Sequence, residues 1–182
     1  MIKLFLTTPL FLALLVSSVL AGEPMFVVSG KVTKVSDGDT IQVWDNGHSI
    51  KYRVRLYGID APETEKKNHR TGIMSKPGQP YGEAAFQALK GKVVGKTVRI
   101  EIIDKDRYKR MVSVVWLGER NINREMVKEG WAWAYRQYLD RPHASEYIGD
   151  EEEARRRKLG LWKDSNPTPP WEFRKLPRMK GD

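Results

Sequence analysis

Cysteine is absent from this 182-residue sequence, which excludes a disulfide framework and all thiolate chemistry. Histidine is nearly absent. His48, His69 and His143 lie far apart without ligand spacing, which argues against a zinc site or a His-based metal nuclease motif. No Gly-rich phosphate loop of the G-x-x-x-x-G-K type occurs, and no Ser/His/Asp set suggests itself. Internal repeats and domain linkers are lacking too, so one domain is the expectation for this length. The one long apolar run stands at the N-terminus.

That run has an order of its own. Met1-Ile2-Lys3 is a short positive start, residues 4–16 are mostly apolar, and Ser17-Ser18-Val19-Leu20-Ala21 ends in small residues. This is the pattern of a secretory leader, residues 1–21, cleaved after Ala21. The run is short for a membrane span and contains Pro9, and no Cys follows it to carry a lipid. The expected product is a domain over 22–162 with an extended Pro-rich tail over 163–182. It is expected to be secreted or periplasmic, monomeric, and without a stable membrane anchor once the leader is removed. What the chain has in excess is positive charge: 32 Lys and Arg against 23 Asp and Glu, a net +9. That balance favours a polyanionic partner such as nucleic acid, anionic lipid or acidic polysaccharide.

Apolar and β-branched residues alternate over 26–35, 40–44 and 50–57, with turn residues Ser36-Asp37-Gly38-Asp39 and Asp45-Asn46-Gly47 between them. Three strands joined by short turns make a meander. Residues 64–80 are rich in Lys, Asn, Gly and Pro and read as a long exposed basic loop. Ala84, Ala85, Ala88 and Leu89 have helical spacing, which predicts a helix over 81–94. Strands are expected over 97–103 and 112–116, a short helix over 121–129 with Gly130 as its stop, and a charged helix over 144–159 with a solvated face. The prolines of 166–171 predict extended chain that cannot be helical. Five strands with a helix between the third and fourth is the element order of an OB-fold barrel. The fold class is therefore mainly β with helices (α+β): a five-stranded OB-fold barrel with about three helices.

Charge is patterned along this frame. Asp39 opens the second strand, and Asp60 and Glu63 lie just past the end of the third. Paired strands bring these positions together, and converging carboxylates repel unless a cation lies between them. Oxygen ligands suit Ca²⁺, Mg²⁺ or Mn²⁺, with water or a backbone carbonyl completing the shell. Arg55 ends the third strand, and Asp106-Arg107-Tyr108-Lys109-Arg110 is a second basic turn. A cation beside guanidinium forks stabilises the negative charge that gathers on a phosphodiester under attack, and a carboxylate that holds a water in line completes the set. A non-catalytic OB module that stacks single strands on Tyr108 and Tyr138 is the alternative.

These residues also carry a resemblance. Asp37-Gly38-Asp39-Thr40, Arg55-Leu56, Ile59-Asp60, Pro62-Glu63-Thr64, Tyr81-Gly82, Asp106, Tyr108, Arg110, the run 123–130 and Leu159-Gly160-Leu161-Trp162 resemble the staphylococcal nuclease family. The resemblance spans about 27–162. It implies a Ca²⁺-dependent endonuclease, with Mn²⁺ or Mg²⁺ open, that hydrolyses DNA and RNA and leaves 3′-phosphate ends. It implies Asp39, Asp60 and the Ala61 carbonyl as metal ligands and Glu63 as the carboxylate that orients or deprotonates the water. It implies Arg55 and Arg110 as phosphate-binding arginines, and Arg107 and Tyr108 as contacts to the nucleotide, joined by Tyr135 or Tyr138. Two positions depart from the family pattern: Ala61 replaces a frequent Thr, and Lys109 stands where Gly is usual before Arg110. If that position needs a positive φ, Lys109 is strained there.

Overall fold

A computed structural model describes residues 24–68, 70–139 and 143–176. The leader and its cleavage site lie outside the described residues, as do His69 and the last six positions. Strand β1 (Phe26–Asp37) turns at Gly38 into β2 (Thr40–Asp45), and a second turn leads into β3 (Ile50–Leu56). The turn after β2 forms because Asp45 Oδ1 accepts the Gly47 N–H at 2.8 Å, an Asx-turn. Short strand β4 (Ile59–Asp60) follows, then the hairpin β5 (Lys66–Lys67) and β6 (Met74–Lys76). Thus the 64–80 loop is partly ordered as a small sheet of its own. Helix α1 (Gly82–Val93) leads to β7 (Thr97–Lys105), β8 (Met111–Leu117) and β9 (Arg120–Asn121). Helix α2 (Ile122–Lys128), strand β10 (Trp133–Ala134) and helix α3 (His143–Arg156) come next. A 3₁₀ turn, Gly160–Lys163, precedes helix α4 (Pro170–Phe173).

The strand order is β3-β2-β1-β7-β8-β9, and a parallel pairing of β3 with β8 closes the first five into a barrel. Closure follows from alternation: Val54 and Leu56 of β3, Ile41 and Val43 of β2, and Ile100 and Ile102 of β7 all point inward and are buried. Each fully buried side chain of this size contributes about 1.5–3 kcal/mol relative to exposure. Leu89 and Val93 of α1 and Met126 of α2 complete the core. The OB-fold barrel of the α+β class is therefore observed, with four helices among the described residues rather than about three.

Three local features differ from the sequence expectation. Asn121 is outside α2 and caps it, its side chain accepting the Arg124 N–H at 3.1 Å. The tail is extended only as far as Pro169; Pro170 then opens a turn of helix, where a first-turn proline loses no hydrogen bond. Helix α3 is not solvated on all of its charged face, because Glu151 is buried at 1% exposure. It accepts the Ala134 N–H at 2.7 Å and the Arg155 Nε–H at 2.9 Å. No helix among the described residues is long and apolar enough to cross a membrane.

Candidate active site

Three backbone devices set the carboxylates. The turn between β1 and β2 puts Asp39 opposite the end of β3, where Leu56 N–H donates to the Asp39 carbonyl at 2.8 Å. Gly38 is required there, since an added Cβ would lie 2.7 Å from the Ala61 Cβ and 2.9 Å from the Ala85 Cβ. Strand β4 pairs with β10, matching Asp60 to Trp133, so Asp60 is fully buried at the barrel mouth. Glu63 lies in the turn beyond. Gln79 clamps that turn, donating its N–H to the Glu63 carbonyl at 2.8 Å and accepting the Glu63 N–H at 3.3 Å. Gly82 packs against the same peptide so closely that a Cβ would fall 2.1 Å from the Glu63 carbonyl oxygen.

Asp39, Asp60 and Glu63 are brought together, and guanidinium groups join them. Arg55 Nη2 donates to Asp60 Oδ1 at 2.7 Å, and its Nη1 lies against Asp39 Oδ2. Asp39 Oδ2 also accepts the Ala61 N–H at 3.0 Å, and its Oδ1 accepts the Thr40 hydroxyl at 2.9 Å. Arg174, just after α4, forms the second bridge. Its Nη2 donates to Asp60 Oδ2 at 2.7 Å, and its Nη1 to Glu63 Oε1 at 2.9 Å and Asp60 Oδ1 at 3.2 Å. Lys76 of the β5–β6 hairpin pairs with Glu63 Oε2. The cation that converging carboxylates require is thus supplied by side chains. Among the described residues, no three acidic or imidazole groups are drawn into a ready-made metal cage. The donor types still fit a hard cation, since Asp39 and Asp60 are buried carboxylates next to the Ala61 peptide.

The arginine side is equally built. Asp106 organises its turn, with Oδ1 accepting the Tyr108 and Arg110 N–H groups at 2.9 Å each. Its Oδ2 accepts the Arg110 Nε–H at 2.7 Å. Arg110 Nη1 reaches the hydroxyl of Thr40, the residue that follows Asp39, at 3.5 Å. Lys109 has φ +62°, so this turn does need the left-handed backbone for which Gly is usual. Arg107 and Tyr108 are exposed at the rim; the Arg107 and Arg110 guanidinium carbons lie 4.9 and 5.5 Å from the Tyr108 ring centre. Tyr135 and Tyr138 stand together with ring centres 4.8 Å apart. Tyr135 is held near the cluster by its N–H on the Gly58 carbonyl at 2.8 Å, and Tyr138 is exposed.

The charges tune one another. Burial acts to raise the Glu63 pKa, but hydrogen bonds from Lys76 and Arg174 outweigh it and hold the carboxyl below its ordinary 4.5. Burial lowers the Arg55 pKa, and the nearby Arg110 and Arg174 charges add to that, while Asp60 opposes it. Arg174 is shifted upward: its burial is outweighed by hydrogen bonds and attraction from Asp60 and Glu63. Burial and the Asp60 charge raise the Tyr135 phenol.

The sequence assigns no role to Gln79, Asn123, Trp171 or Arg174, although Asn123 opens the run 123–130 that carries the resemblance. Asn123 is fully buried; it donates to the Tyr57 and Ser113 carbonyls at 3.0 Å each and accepts the Val115 N–H at 2.9 Å. It ties the end of β3 to β8. A polar Asn one residue inside an otherwise apolar helix face was its available signal. Arg174 had none, lying 111 positions from Glu63.

Residues 53–164 match the family described as staphylococcal nuclease homologue. An uncharacterized endonuclease of Escherichia coli O157:H7 is 38% identical over 148 residues, covering 81% of this chain and 85% of that protein. An uncharacterized endonuclease of Haemophilus influenzae is 39% identical over 150 residues, covering 82% and 74%. A micrococcal nuclease of Shigella flexneri is 39% identical over 155 residues, covering 80% of each chain.

Proposed function

The chain belongs to the staphylococcal nuclease family and is a nuclease, and from that premise we propose an exported, divalent-cation-dependent endonuclease that hydrolyses DNA and RNA to 3′-phosphate ends. The observation that carries this reading is Arg55 bridging buried Asp39 and Asp60, with Glu63 beside them and Arg110 across from them. A bound Ca²⁺, or Mn²⁺ or Mg²⁺ in its place, would be held by Asp39, Asp60 and the Ala61 carbonyl and would supply Lewis-acid neutralisation of phosphoryl charge.

The chain's own groups do the rest. Glu63, held below the ordinary carboxylate range, is ionised at neutral pH and takes the proton of the attacking water or fixes that water in line. Arg55 and Arg110 donate to the phosphoryl oxygens, whose charge rises as attack proceeds. Their planar forks match two oxygens each, which a Lys ammonium does not. Arg107 and Tyr108 contact the nucleotide at the rim. Tyr135 and Tyr138 offer ring faces to a base, and such stacking contributes about 1–3 kcal/mol per base. The leader accounts for export, and the mature domain acts as a monomer.

Plasmid DNA and RNA should be cut by the leader-free protein with Ca²⁺, Mn²⁺ or Mg²⁺, and not with EDTA. End-group analysis should find 3′-phosphates. Arg55→Ala and Glu63→Gln should each lose about 10²–10³ in turnover. Cleavage in EDTA, or near-normal turnover in either variant, contradicts the mechanism. Binding of single strands with no hydrolysis in any of the three metals returns the chain to a non-catalytic OB-fold module.

A further inference from the structure

The tail beyond the barrel crosses the active site and is built to stay there. Residues 164–169 pass beside Gln79, whose Nε2 donates to the Thr168 carbonyl at 2.5 Å. Trp171 then lies flat on Tyr135, ring centres 5.2 Å apart and planes 4° from parallel, with its edge on Trp133 at 5.5 Å. Pro170 is buried. One turn later Arg174 enters the carboxylates with the three hydrogen bonds described above. A loosely held terminus has no reason to combine a backbone anchor, a stacked ring and a bidentate fork within seven positions of sequence.

Each contact removes one element of the proposed chemistry. Arg174 engages both oxygens of Asp60. Glu63 has Arg174 on one oxygen and Lys76 on the other, so the attacking water must compete for both. Trp171 covers a face of Tyr135 that a base would use. Arg55 uses only Oδ1 of Asp60, whereas Arg174 fills Oδ2, so a divalent cation reaching that oxygen must displace Arg174, whose like charge repels it at close range.

We propose that the segment 164–176 is a built-in competitive inhibitor: Arg174 takes the place of the metal ion, Trp171 takes the place of a nucleobase, and the nuclease opens when cation and nucleic acid displace the strap. The proposal rests on the reading of Asp60 as a metal ligand and Glu63 as the water-directing carboxylate. Docked and cation-loaded forms are then two states of one equilibrium. The apparent cation affinity falls by the fraction of chains left open, so a strap closed in nine chains of ten weakens it about 10-fold. The short tether helps, since an attached segment acts at an effective concentration on the order of millimolar.

The test uses the full leader-free chain, wild type, Arg174→Gln and Trp171→Ala, each checked for unchanged unfolding of the barrel. Ca²⁺ binding is measured by calorimetry, and trypsin cleavage after Lys163, Arg174 and Lys175 is followed by mass spectrometry with and without Ca²⁺. Arg174→Gln should bind Ca²⁺ about 10-fold tighter. Trp171→Ala should also bind it tighter, although it removes no charge. Ca²⁺ should speed cleavage of the wild-type tail, and Trp171→Ala should be cut fast without it. Tightening in Arg174→Gln alone, with the tail cut at the same rate throughout, means that only a local charge was removed and overturns the strap. Equal Ca²⁺ affinity in all three chains overturns it while leaving the metal reading intact. No Ca²⁺ binding by any of them overturns both.

Discussion

Lys109 holds a left-handed backbone conformation, φ +62°, in the turn that aims Arg110. A side chain there costs roughly 1–2 kcal/mol of steric strain. Gly would remove the strain but would gain about 0.4–1 kcal/mol of unfolded-state entropy. The strain is the larger quantity, so Lys109→Gly should stabilise the protein by about 0.5–1 kcal/mol. Arg110 should stay in place, because Asp106 fixes it through backbone and side chain. Urea unfolding should show a higher midpoint with an unchanged slope, and nuclease turnover should remain near wild type; a lower midpoint is the contrary result. The strain is legible because Lys109 stands where the resembled family usually carries Gly. Arg174 is not, since its role depends on a tail folding back across the molecule.

The first three strands and their buried faces are legible because alternation over 26–35, 40–44 and 50–57 is a local pattern, whereas their pairing register depends on remote partners. The charged helix and the Pro-rich tail are less so, since their partners are remote. Helix α3 shows the cost of reading charge as solvation. Its Glu151 is buried beneath Arg155 and holds strand β10 through the Ala134 N–H, and β10 in turn pairs with the Asp60 strand. Glu151→Ala strands that N–H without an acceptor in a dry interior, so stability should fall by about 1–3 kcal/mol. Glu151→Gln keeps a carbonyl oxygen for it and should recover most of the loss. Turnover in the Ala variant should fall as well, because Asp60 loses its support. Equal unfolding midpoints for Ala and Gln would show that the hydrogen bond to β10 carries nothing.

At the scale of the whole molecule, acid stability follows from carboxylates that the fold holds ionised. Glu63 is lowered despite burial by Lys76 and Arg174; Asp106 is lowered despite burial by Arg110; Glu125 is lowered chiefly by its hydrogen bond from Arg120. Each has a folded value below its unfolded one. Its stabilisation is therefore complete above the ordinary 3.8 for Asp or 4.5 for Glu and is lost as pH falls through the folded value. Protonation also leaves 32 Lys and Arg with fewer counter-charges, which adds repulsion in the same direction. Melting temperature should stay level from pH 7 to about 5.5 and fall below about 4.5. Asp106→Asn isolates one contribution. Its Asn can still accept the turn's backbone N–H groups but cannot pair with Arg110 as a charge. The variant should melt below wild type at pH 7, and the gap should narrow as pH drops below the ordinary 3.8, where Asp106 takes up its proton in the unfolded chain before it does in the folded one. A gap of constant size from pH 7 to pH 2.5 would place the effect of Asp106 in the shape of the turn rather than in its charge.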